Sequence, residues 1–400
     1  MSENPAPFPV RPFVGPGRVL FGAGAAASAG TELRTIGVDP ASGPVLVVAD
    51  AVLLDLGLVD PIVAGLAQAG FEVRVGPGVA GEPTPDTVEA VLAVGAGDPI
   101  AAVLGVGGGS ALDASKLVAA AATNTIDLTA GLPATAELGP VPILSAIPTT
   151  AGTGAETTAV AMLWHERRKR IFVHDRLVPR HAILDPTLLA ALPKPVMAAS
   201  GLDAISHAIE SLLSTFRTPM TAAAGQSALR RLAAALPVAC SAPDEAVLGE
   251  MLLGASEAGL GLNASVVVGH SIAYAVASRT GLSHGVTCAM ALPYCLAYSR
   301  SGAEAPIAAL GPLVGTEATA DAVLSWLTRL TASLDLPASL DAVGIAAGEL
   351  PGMAAEIAQS YPRPNSPVAL EPAALERLLG HFHSGDVDAA WSAFATAPVA

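Results

Sequence analysis

Short, unbroken apolar runs alternate with stretches of helical period through the first half of the chain. Residues 44–50 (PVLVVAD) read as a buried strand ending in an acid. Residues 62–69 read as a helix closed by Gly70, 71–75 as a strand and 86–94 as a helix. A second buried strand is expected at 101–105, a helix at 110–122 and a third apolar strand at 142–148. Strands alternating with helices predict a parallel sheet with helices packed on it. From Pro195 onward Ala and Leu recur without strand-like alternation, so this part reads as helical. The prolines of Leu192-Pro193-Lys194-Pro195 interrupt regular structure. The expected division is therefore an α/β domain over 1–190 and an all-helical domain over 191–400.

Composition narrows the classes. Apolar residues make up 52% of 400, and charged residues 14%, which excludes a disordered chain. A mean hydropathy of +0.55 raises the question of a membrane span. Every apolar run is broken well short of the roughly 20 residues a span needs. Asp50 and Asp55 end the first, Ser110, Asp113 and Lys116 the second, and Gly269 and His270 the third. No basic-then-apolar leader is read at the N-terminus. Three scattered cysteines, Cys240, Cys288 and Cys295, make no disulfide framework. The expectation is a cytoplasmic protein without a membrane partner. A net charge of −15 disfavours binding to nucleic acid. The basic run 165–170 reads as a solvated turn or strand end.

Two loops follow predicted strands. In Gly105-Val106-Gly107-Gly108-Gly109-Ser110 the glycines let a backbone approach a phosphate, and Ser110 is placed to cap the next helix. The dinucleotide fingerprint G-x-G-x-x-G fails at Ser110, and a tight strand-to-helix turn fits the same residues. The second loop, 148–156, carries Thr149, Thr150 and Thr153, whose hydroxyls suit a pyrophosphate or ribose and equally suit a polar turn. Asp50 stands at the carboxyl end of its strand, where a carboxylate accepts hydrogen bonds from a ribose or caps a helix. Asp203 and His207 are spaced i, i+4, one helical turn apart. With His270 and His284 they form an N3O donor set for a divalent transition metal. The pair alone also fits a helix-surface hydrogen bond. Cys288 and Cys295 read as small buried side chains.

These segments together resemble the iron-containing (group III) alcohol dehydrogenase family. The resemblance runs from 17–22 (GRVLFG) to about Tyr298 and includes 107–116 (GGGSALDASK), 147–156 (IPTTAGTGAE), Asp185-Pro186, 201–210, Gly269-His270 and His284-Gly285. It implies a Rossmann-like dinucleotide-binding domain, a helical-bundle domain and an active site in the cleft. By motif position Asp203, His207, His270 and His284 match the metal ligands, holding Fe2+ or Zn2+. Gly107, Gly108, Gly109 and Ser110 match the pyrophosphate loop. Thr149, Thr150, Thr153, Asp50 and Lys169 match further cofactor contacts. The resemblance implies NAD as the cofactor, with NADP as the alternative, and a homodimer as the expected assembly.

One position departs from the family pattern. Tyr274 stands where many members have a second histidine, four residues after His270, and is the candidate for substrate contact or proton relay. The resemblance implies a metal-dependent NAD(P)-linked alcohol dehydrogenase or aldehyde reductase, with a small alcohol or aldehyde as substrate. The alternatives are a maleylacetate reductase, whose members commonly lack the aspartate at 203, a phosphonate-aldehyde reductase, and a cyclase or lyase like dehydroquinate synthase.

Overall fold

The computed structural model describes residues 10–166 and 168–396, in two compact units. One comprises Val14–Leu192 with Pro243–Gly259. The other comprises the described residues of Pro193–Ala242 and Leu260–Ala400, with Val10–Phe13.

The first unit is built on a parallel sheet. Its strands are β1 (Arg18–Phe21), β2 (Val45–Ala49), β3 (Val73–Val75), β4 (Ala102–Gly107) and β5 (Ile143–Pro148). A hairpin, β6 (Val160–His165) and β7 (Arg168–Val173), pairs antiparallel apart from the sheet, and β8 (His181–Leu184) rejoins it. The strand order is β1-β8-β5-β4-β2-β3. β2 and β4 are buried along their whole length, which is why they read as unbroken apolar runs. Val45, Val47 and Ala49 face one helical layer, while Leu46 and Val48 face the other. Each such Val or Leu contributes about 1.5–3 kcal/mol by leaving water. Ala49 pairs with Val106, and Gly107 with Pro148. The carboxyl ends of β2, β4 and β5 therefore lie side by side, the edge at which open α/β sheets bind ligands.

Two expectations are corrected here. Ser110 does not cap its helix. The helix Gly109–Ala121 takes Gly108 as its N-cap, because β4 continues through Gly107 and Gly108 stays extended. Ser110 is thereby the second helical residue. The helix Glu245–Gly261, expected in the helical domain, groups through Gly259 with the sheet. The cause is a close approach of glycines. A Cβ on Gly154 would lie 2.6 Å from Gly259 Cα. Thr157 Oγ1 also donates to the Ser256 carbonyl at 3.3 Å.

The second unit is helical. Its long helices are Lys194–Leu213, Pro219–Ala239, Val268–Thr280, His284–Ala308, Ala320–Ser333, Leu350–Ser360 and Pro372–Ser384. The first of these packs on the second and on His284–Ala308, which in turn packs on Val268–Thr280. Gly285 permits one approach, since a Cβ there would meet the Ala199 carbonyl oxygen at 2.5 Å. Among the described residues no single helix is long and apolar enough to cross a membrane. One pair, Glu245–Ala264 with Val268–Thr280, meets that measure only jointly and is bent by 106°.

Candidate functional site

The helix Lys194–Leu213 carries Asp203, His207 and Glu210 at i, i+4 and i+7, on one face. All three are buried. The neighbouring helices bring His270 and His284 to that face. Asp203 Oδ1 lies 3.7 Å from Nε2 of His207, of His270 and of His284 alike. The rings of His207 and His270 stack at 4.7 Å, and those of His270 and His284 meet edge-on at 5.3 Å.

Glu210 organises His270. Its Oε1 is 2.6 Å from His270 Nδ1, and its Oε2 accepts from the backbone N–H of Val267 at 2.8 Å and of His270 at 3.3 Å. A carboxylate beside Nδ1 fixes the proton there and turns the Nε2 lone pair towards Asp203. The two backbone bonds also serve the open N–H groups at the start of the helix Val268–Thr280. Gly269 makes room, because a Cβ there would stand 2.6 Å from Glu210 Oε1.

A divalent ion fits this cluster. Separations of 3.7 Å are too long for hydrogen bonds. Donors about 2.1 Å from a tetrahedral ion stand about 3.4 Å apart. Asp203 Oδ1 is buried and has no hydrogen-bond partner, as expected of an oxygen shaped for a cation. Burial by itself raises the Asp203 pKa. The imidazoles of His207, His284 and His270 outweigh it and hold the carboxylate at about 2.

Tyr274 stacks on the His284 ring at 5.4 Å and meets His270 edge-on at 6.1 Å. Burial pushes its phenol well above the usual range, against the pull of the Arg363 guanidinium. Arg363 lies 5.9 Å from the Tyr274 ring and donates from Nε to Ser271 Oγ at 2.9 Å. Cys288 is buried as expected, but its surroundings are not those of a packing residue. Its Sγ is 3.5 Å from His284 Nε2 and 3.7 Å from His270 Nε2.

The sheet unit carries the other candidate residues. Asp50 Oδ2 accepts from the Gly108 N–H at 2.7 Å, so the carboxylate reaches across to the glycine loop instead of capping its own helix, Ala51–Asp55. Burial raises its pKa and the Gly108 bond lowers it, with burial prevailing. The Thr149 N–H donates to the Gly107 carbonyl at 3.0 Å. A Cβ on Gly108 would meet Thr150 at 3.4 Å, and one on Gly109 would meet Thr153 at 2.6 Å. Asp50, the three glycines, Thr149, Thr150 and Thr153 thus form one cluster at the strand ends. Ser110 follows in the first helical turn. Lys169 sits on β7, with Nζ 3.1 Å from Glu82 Oε1.

Sequence reasoning assigned no role to Glu210. Its signal was present as the third polar member of the Asp203–His207 face. Cys288 carried a similar signal, four residues after His284 on one helix.

A doubly wound sheet with a glycine loop, joined to a helical unit with a buried carboxylate–imidazole cluster, defines a metal-binding, NAD(P)-using oxidoreductase. Family models give the class its name: "Iron-containing alcohol dehydrogenase" matches residues 16–186, and "Fe-containing alcohol dehydrogenase family, C-terminal" matches 197–381. The chain belongs to the iron-containing alcohol dehydrogenase family. It is 32% identical over 330 residues to long-chain-alcohol dehydrogenase 1 of Geobacillus thermodenitrificans, covering 79% of this chain and 83% of that one. It is 28% identical over 344 residues to the NAD-dependent methanol dehydrogenase of Bacillus methanolicus, covering 83% and 89%. The alcohol dehydrogenase from Oenococcus oeni superposes with a TM-score of 0.87 at 26% identity, over 94% of this chain and 100% of that one. The protein is a metal-dependent NAD(P)-linked oxidoreductase acting on CH–OH groups, an alcohol dehydrogenase or aldehyde reductase.

Proposed function

We propose that Asp203, His207, His270 and His284 hold one catalytic divalent ion, Fe2+ or Zn2+, and that the cofactor is NAD. The carrying observation is the buried Asp203 Oδ1, equidistant at 3.7 Å from three imidazole nitrogens and without a hydrogen-bond partner. When bound, the ion supplies Lewis-acid polarisation of the substrate oxygen, and the nicotinamide exchanges hydride with the substrate carbon. Glu210 holds His270 in one tautomer and one orientation. Tyr274 keeps its proton at neutral pH and therefore acts as a hydrogen-bond donor to substrate, not as a base. The N–H groups of the first helical turn, at Gly109, Ser110 and Ala111, are the anion site for the pyrophosphate. Thr149, Thr150 and Thr153 flank it. Asp50 favours NAD, because its carboxylate repels a 2′-phosphate. Lys169 is the more distant cofactor contact. In this reading the sheet unit serves the cofactor and the helical unit the substrate. The working form is a cytoplasmic homodimer.

The test is metal analysis and NADH-linked assays on the native chain, Asp203→Ala and His270→Ala, with small alcohols and aldehydes and with Fe2+ compared against Zn2+. Both variants are expected to lose metal and activity together. Full activity in the metal-free variants overturns the assignment.

A further inference from the structure

Cys288 enters no step of the reading above, yet its sulfur lies among the metal donors. It is four residues after His284 on the helix His284–Ala308, which places both side chains on one face. A carboxylate oxygen of Asp203, a ring nitrogen each of His270 and His284, and Cys288 Sγ all lie within 4.8 Å of one another. The sulfur is 3.5 Å from His284 Nε2 and 3.7 Å from His270 Nε2. A sulfur about 2.3 Å and a nitrogen about 2.1 Å from one tetrahedral ion stand about 3.6 Å apart. The unpartnered, buried Asp203 Oδ1 points independently to a cation in the same space.

We propose that Cys288 is a thiolate donor to this metal centre, beside Asp203, His270 and His284. The inference rests on the metal-centre reading and adds one ligand to it. As the sulfur–metal bond forms, the thiol S–H bond breaks and its proton passes to solvent, with no change of oxidation state. A thiolate softens the site and shifts its preference from Fe2+ towards Zn2+. Cys295 differs from Cys288 in its setting. It is fully buried beside Gly269, whose Cβ would meet it at 3.0 Å, and it packs as a small apolar side chain.

Cobalt separates these possibilities by absorption. The full-length protein is stripped of metal and loaded with Co2+ alone. The visible d–d bands report cobalt in the site, and a near-ultraviolet thiolate-to-cobalt charge-transfer band reports the sulfur bond. The native chain is expected to show both. Cys288→Ala is expected to keep the d–d bands and lose the charge-transfer band. Cys288→Ser gives the same reading should the alanine variant fold poorly. The Cys240→Ser/Cys295→Ser double variant is expected to retain the band. Visible bands without a charge-transfer band in the native chain overturn the proposal and leave the metal centre standing. A charge-transfer band that persists in Cys288→Ser overturns it as well. Failure of the native chain to bind cobalt overturns the metal centre itself, and the proposal with it.

Discussion

Glu210 and His270 are held 2.6 Å apart, carboxylate oxygen to Nδ1, by a bond buried on both sides. The same carboxylate ties down the start of the helix that carries His270. One side chain therefore sets the tautomer, the ring orientation and the helix position of His270, a proposed metal ligand. Glu210→Gln is expected to weaken metal binding about 10–100-fold while the fold persists. Chelator competition with circular dichroism of the same samples checks both halves.

Gly269 is the space into which Glu210 fits. Gly269→Ala brings a Cβ to 2.6 Å from Glu210 Oε1 and to 3.0 Å from Cys295 Cβ. The expected result is a loss of about 1–3 kcal/mol of stability, from overpacking, together with lowered metal occupancy. Denaturant unfolding and metal analysis measure the two effects separately.

Tyr274 stacks on His284, a proposed metal ligand, but is held neutral by burial. Tyr274→Phe is expected to leave the shape of the pH–rate profile unchanged and to alter only its height. Tyr274→His places a group of ordinary pKa about 6.5 at the same position and is expected to add a new limb to the profile near that pH. Profiles of kcat/KM between pH 5 and pH 9, as a working range of about 4 units, decide this.

Asp113 and Lys116 stand i, i+3 on the glycine-loop helix, 3.7 Å apart, with Lys116 buried and Asp113 largely so. Burial pushes Asp113 up to about 6 in spite of Lys116. An unfolded aspartate titrates near 3.9. Between these values the folded chain holds a proton that the unfolded chain has lost, so stability falls as pH rises through the window. The loss from this group is about 2–3 kcal/mol. Asp113→Asn is expected to flatten that fall, because an amide oxygen still accepts the 3.0 Å bond from the Met162 N–H. Thermal or urea unfolding followed from pH 4 to pH 6.5, about 2.5 units, shows the slope.

Asp50 links two strand ends by its bond to Gly108. Asp50→Ala leaves that N–H without its acceptor and removes the negative charge. The KM for NAD is expected to rise, and the preference for NAD over NADP to fall by about tenfold or more, near 1.4 kcal/mol. Paired kinetics with the two cofactors test this.

The sheet interior, the glycine loop and one edge of the Asp203 cluster are legible in the order of the amino acids alone. β2, β4 and β5 were legible because strands buried on both faces are unbroken apolar runs. β1 and β8 have four residues each, and three of the four in β1 are exposed, so neither shows a period. The hairpin of β6 and β7 hid behind the charges of 165–170. Asp203 and His207 were legible as a pair because one helix fixes their distance, and Glu210 belongs to the same arithmetic. His270 and His284 were different. Their spacing of fourteen residues carries no distance, and their meeting with Asp203 depends on helices brought close by Gly269 and Gly285. Only the tertiary structure placed Cys288 at the cluster, put Glu210 behind His270 and carried Asp50 to Gly108. Local spacing encodes geometry only within one rigid element. Between elements, distance is set by packing.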